Sequence, residues 1–198
     1  MRKKLAILLN SLIVIFEIIA VYISVKAHGR YPFEYYTDLS NLLALFTSLL
    51  FTYYLVFKTY VPRYVNVLKY ASTIGLILTF LVVVFILAPM YRFDYIYLFT
   101  HEAMFFTHLI CPVLGAITFI FFDGIKVTRK DMHYSMYPTF IYAFVLIALN
   151  ACAFFDGPYP FLRVRNQSIL ASVLWFLLIM FICNVIAAVL RITNKKTK

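Results

Sequence analysis

The chain reads as an all-α polytopic membrane protein, a six-helix transmembrane bundle with both termini cytoplasmic. Three observations predict this class. Of 198 residues, 64% are hydrophobic and only 13% charged, about half the charged fraction of a soluble domain. Six apolar runs reach or approach the roughly 18 to 20 residues that cross a bilayer as helix. Lys and Arg are shared unevenly among the connections between those runs. The net charge of +10 does not point to nucleic acid, because the basic residues separate apolar runs instead of forming a stripe. Membrane orientation and anionic headgroups account for them.

The first run, residues 5–25, follows Arg2-Lys3-Lys4. It is too long for a signal-peptide core and lacks a small-x-small cleavage site, so it reads as a retained signal anchor. The second, 38–57, opens with Tyr36-Thr37-Asp38-Leu39-Ser40-Asn41, and the third, 65–88, stops before Pro89. The fourth, 95–122, carries His101, Glu102, His108 and Pro112. The fifth and sixth, 136–155 and 168–190, flank Gly157-Pro158-Tyr159-Pro160. Connections are short and rich in turn residues, so the chain is one transmembrane domain with no soluble insert. No internal repeat of the inverted kind is visible, since the Tyr36 to Asn41 string has no counterpart in the second half. Cys111, Cys152 and Cys183 all lie in apolar runs, which argues against a disulfide framework.

Basic residues set the orientation. The amino terminus, the second and fourth loops and the tail hold 13 of them, counting Lys69 with the second loop and Lys195, Lys196 and Lys198 with the tail, against five in the other loops. The positive-inside bias then places both termini in the cytoplasm. Tyrosines gather at the span ends as an interfacial belt.

Ionisable groups in a membrane span are costly and point to function. Pro112 cannot donate to the carbonyl of His108, four residues back, so the helix is expected to distort there. With about 1.5 Å of rise per residue, Glu17 lies roughly 12 Å below the outer end of the first span and His108 roughly 18 Å down the fourth. Thr37 sits shallower, at the opening of the second span. Thr37, Ser40, Asn41, His101 and Asn150 also fall in the outer half, leaving Asn184 alone near the other end. Each has a plain structural reading: a helix cap for Thr37 and Ser40, a protonated helix-to-helix bond for Glu17, an interfacial position for His101 and Glu102. The His101 to His108 spacing is three residues longer than the zinc-protease motif, and nothing in the spans supplies a metal site or calls for a cofactor.

Tyr36-Thr37-Asp38-Leu39-Ser40-Asn41-Leu42-Leu43, His108 followed by Pro112, and Tyr159-Pro160-Phe161-Leu162 resemble the androgen-induced-gene family of small membrane proteins. That family has bacterial relatives and animal members that hydrolyse fatty-acid esters of hydroxy fatty acids. The resemblance implies a multi-pass protein of a bacterial plasma membrane, a fatty-acyl ester as substrate, and Thr37 and His108 as nucleophile and base. A threonine hydroxyl needs such a base within hydrogen-bond reach. In this reading Glu17 orients the imidazole, Asn41 or Asn150 donates to the oxyanion, Ser40 supports Thr37, and Arg163, Arg165 and His101 meet the substrate at the mouth. Solvated loop charge is the alternative for the two arginines. A non-enzymatic lipid or small-molecule binder and a lipid transacylase are the competing readings of the whole protein. Thr37 and His108 differ in expected depth, so they meet only if the second helix starts upstream near Pro32 or dips inward.

Overall fold

The computed structural model describes residues 1–196; of the tail lysines counted above, Lys198 lies outside them. Six long apolar helices form the bundle. They are α1 (Arg2–His28), α2 (Tyr36–Phe57), α3 (Arg63–Met90), α5 (Phe105–Phe122), α6 (Arg129–Ala151) and α7 (Ile169–Lys196), with a short helix α4 (Tyr95–Thr100) between α3 and α5. No strand occurs among the described residues. Six crossings return the chain to the face where it began, here called the terminal face; the opposite one is the far face.

α3 is the central helix, packing against α2, α5, α6 and α7, and more than half of its apolar window is buried inside the bundle. The other helices bury less of themselves and present Leu, Ile, Val and Phe outward, as expected where lipid is the solvent. α3 is aligned with α2 at Gly75, whose missing side chain leaves room for Ser40 and Tyr36. A Cβ there would stand 3.1 Å from Ser40 Cβ and 3.3 Å from the Tyr36 hydroxyl. Local chemistry fixes the ends. Gly29 closes α1 in the left-handed region, at φ 70°. Thr128 and Asp131 form a reciprocal cap that starts α6, and Asp94 caps α4 by accepting from the Tyr97 N–H at 2.9 Å.

The fourth crossing departs from the expectation. Residues 95–104 are not part of the span: α4 ends at Thr100, Glu102 turns the chain in the left-handed region (φ 49°), and the membrane helix begins at Phe105. From Phe105 to Ile110 it is a π-helix, in which the Cys111 N–H bonds the Phe106 carbonyl five residues back. The distortion expected from Pro112 therefore takes the form of a π turn just ahead of the proline. Val83–Leu87, ahead of Pro89 in α3, does the same. Lys69 also differs from its sequence reading. α3 starts at Arg63, which puts Lys69 inside the helix and 1% exposed instead of in a loop.

Replacing Gly75 with Val is expected to overpack the α2–α3 contact and cost about 1 to 3 kcal/mol. A thermal melt of the detergent-solubilised protein checks this as a lowered transition.

Candidate functional site

At the far face a cavity of about 320 Å³ lies among the end of α1, the start of α2, α4, the 101–104 turn and the first turn of α5. Thr37 and His108 both line it. The late start of α5 brings them to one level. Thr37 is the second residue of α2 and His108 the fourth of α5, so α2 does not extend upstream to Pro32.

His108 is buried, and its Nδ1 lies 2.7 Å from the Leu98 carbonyl oxygen on α4. A carbonyl only accepts, so Nδ1 carries a hydrogen, and in the neutral ring Nε2 then keeps its lone pair. A neutral imidazole held this way has the form of a base. Thr37 is half-buried. Its carbonyl accepts from Ser40 Oγ at 3.0 Å and Asn41 Nδ2 at 2.7 Å. The Tyr159 hydroxyl sits against the Thr37 side chain and the first backbone N–H groups of α2. Burial pushes that phenol up to about 12, and the nearby Thr37 groups pull only partly the other way; it keeps its proton at any physiological pH. No hydrogen bond joins Thr37 to His108 directly.

On its other side Thr37 borders a second space, narrow and apolar, of about 40 Å³. Leu78, Val82 and Val83 of α3, Tyr142 and Ala143 of α6, and Phe176, Ile179 and Met180 of α7 form its walls. Thr37, Leu87 and Tyr159 line both spaces. A threonine hydroxyl thus stands at the junction of a polar chamber and an apolar slot.

Several candidates lie elsewhere or serve other ends. Asn41 donates to the Thr37 carbonyl and, at 3.2 Å, to the Thr107 carbonyl. Both donors are used to tie α2 to α5 beside His108, which leaves none for an oxyanion. Asn150 is an organiser of the loop after α6: it donates to the Phe155 and Asp156 carbonyls and accepts from the Arg165 N–H. Ser40 shares a 3.0 Å bond with Thr79 and so couples α2 to α3. Glu17 does not orient the imidazole, because Leu98 holds that position; its carboxyl approaches the Cys111 thiol without making a hydrogen bond. His101 lines the cavity and packs on Tyr97 at 4.6 Å between ring centroids. Arg163 donates to the Gly157 carbonyl and Arg165 pairs with Asp156 at 3.8 Å, and neither borders the cavity.

Other polar residues escaped the sequence reading. Ser24, His28 and Asp38 line the cavity beside Thr37. Asn10, Lys69, Asp123 and Asn194 are buried on the terminal side, so buried polarity is not confined to the outer half, and Asn184 is exposed. The seven-residue spacing of Asn10, Glu17 and Ser24 was the legible signal for a polar face on α1. No cluster of three or more His, Cys, Asp or Glu suited to a metal occurs among the described residues. Compared with known proteins, the chain matches no family model, no curated protein and no solved structure.

The Asn41→Leu substitution removes one donor from the Thr37 carbonyl and one from the buried Thr107 carbonyl, for an expected loss of about 1 to 3 kcal/mol. The melting transition should fall, and hydrogen exchange should rise at the start of α5.

Proposed function

We propose that the protein is a membrane-embedded hydrolase of fatty-acyl esters, with Thr37 as nucleophile and His108 as base. One observation carries this reading: Thr37 lies where the chamber holding His108 meets an apolar slot. An ester with the first carbons of its acyl chain in the slot presents its carbonyl to Thr37 and its alcohol portion to the polar chamber. The resemblance to the androgen-induced-gene family points to the same two residues.

The chemistry follows from the side chains. Thr37 Oγ attacks the carbonyl carbon while His108 Nε2 takes the hydroxyl proton. The Tyr159 hydroxyl, already against Thr37, donates to the oxyanion. His108 returns the proton to the leaving alcohol, and Thr37 is left acylated. Water then attacks the acyl-threonine with His108 again as base, releasing the acid and restoring Thr37. The Leu98 carbonyl steadies the imidazole as it gains charge. The cavity opens on the face opposite the termini, and with the positive-inside bias this face is the outer one.

A fluorophosphonate probe should label the wild type and fail to label Thr37→Ala or His108→Ala, with ester hydrolysis reduced about 10²- to 10⁴-fold in both. Undiminished labelling of either variant rejects the pair. Tyr159→Phe, which removes one donor and little volume, should slow hydrolysis about 10²- to 10³-fold while leaving the melting transition nearly unchanged.

A further inference from the structure

A slot of about 40 Å³ holds little more than the roughly 30 Å³ that one water molecule fills, so most of a fatty-acyl chain must lie outside it. Two seams of the bundle border the slot. At one, α6 packs against α7, and Phe140 meets Phe176 edge to face at 5.9 Å. At the other, α2 and α6 each pack on α3 but scarcely on one another. A groove of about 640 Å³ runs between them, within the roughly 300 to 1,000 Å³ of a ligand site.

Leu39 and Leu43 of α2 and Ile141 and Val145 of α6 form the sides of the groove, and the small residues Ala71 and Gly75 of α3 its floor. Ile141 and Val145 are 57% and 43% exposed, so the groove faces lipid. Its three hydroxyls are engaged within the protein: Tyr36 with Thr139, Ser40 with Thr79, and Tyr142 with the Glu34 carbonyl. What remains is a surface for hydrocarbon. From Pro138 to Leu149 the groove follows α6 for about 16 Å, half of a hydrocarbon core about 30 Å thick and thus the depth of one leaflet. Arg30 and Glu34, paired at 2.7 Å, stand at its far-face end, at the level of the headgroups.

Groove and slot share a wall. Tyr36 and Tyr142 line both spaces, and their rings meet at 5.1 Å between centroids with an interplanar angle of 62°. The Tyr36 hydroxyl is anchored inside the bundle by its 2.7 Å bond with Thr139 Oγ1, whereas Tyr142 donates at 2.8 Å to the Glu34 carbonyl ahead of α2. Turning the Tyr142 ring gives up that bond and the ring contact and joins the two spaces. We propose that the groove between α2 and α6 holds the distal part of the substrate's acyl chain, which reaches Thr37 from the far-face leaflet past the Tyr36–Tyr142 pair. This rests on the hydrolytic reading for the place of the ester carbonyl. The substrate class it names is a long-chain ester resident in the bilayer, taken sideways from lipid.

The test uses the purified full-length protein in detergent and, as probe, palmitic acid with a mid-chain diazirine, its photoadducts mapped by mass spectrometry. Adducts should concentrate on Leu39, Leu43, Ile141 and Val145, saturate with dose, and disappear under excess unlabelled palmitate. They should also be lost in Val145→Trp, whose added ring fills the groove from its lipid side and leaves the melting transition in place. In that variant the ratio of palmitoyl to acetyl ester hydrolysis should fall about tenfold or more, because the displaced methylenes lose their burial. Adducts that do not saturate, or that fall on Phe176 and Met180 of α7 instead, overturn the proposal. So does a wild-type ratio in both Val145→Trp and a second filling variant, Ile141→Trp. A wild type that hydrolyses neither ester refutes the hydrolytic reading, and the adduct map then decides separately whether the groove holds a chain.

Discussion

In hydrocarbon every backbone N–H and C=O must find its partner inside the protein, and that requirement decides where the fourth crossing begins. Pro112 supplies no N–H, and the helix meets the deficit by running as a π turn from Phe105 to Ile110. Upstream, the 101–104 turn has Glu102 in the left-handed region, so α4 lies apart from the span instead of extending it. The Leu98 carbonyl on α4 is thereby free to accept from His108 Nδ1. Asn41 completes the arrangement by bonding one carbonyl on α2 and one on α5. The polar cavity is a consequence of these few bonds.

The fold was legible because membrane helices are written in composition and length, and the six apolar runs became six helices. The start of α5 was not, because Tyr95-Ile96-Tyr97-Leu98-Phe99 is as apolar as a span and only its tertiary setting separates it from one. Lys69 was misread for a related reason. Beside Lys58 and Arg63 it looks like a loop charge, and its burial is visible only once Ser48 of α2 is seen to receive it. Asn41 and Asn150 were recognisable as unusual, yet side-chain type alone does not tell an oxyanion donor from an amide that ties two segments together. The Tyr159-Pro160 string was noticed for its resemblance; the contact of the Tyr159 hydroxyl with α2 needed the structure.

The bundle holds two kinds of buried polarity. Near the far face, neutral groups are joined by short bonds: Ser40 with Thr79, Asn41 with two carbonyls, His108 with a third. Such bonds fix geometry with little electrostatic cost. Toward the terminal face, Glu17, Lys69 and Asp123 are ionisable groups, and both Glu17 oxygens and Asp123 Oδ2 lack hydrogen-bond partners. A well-packed apolar replacement would often be at least as stable as such a set, which sets these residues apart from the structural bonds above them.

The central claim is spatial: the late start of α5 places positions 37 and 108 on the wall of one chamber. It is tested most directly by cross-linking a Thr37→Cys/His108→Cys protein whose own Cys111, Cys152 and Cys183 have been replaced by Ser, using the shortest bifunctional thiol reagent in native membranes. Rapid intramolecular linkage of α2 to α5, with no linkage when the second cysteine is placed at Val113 instead, is the expected result. Failure of the 37–108 pair to link while both thiols react singly would contradict it.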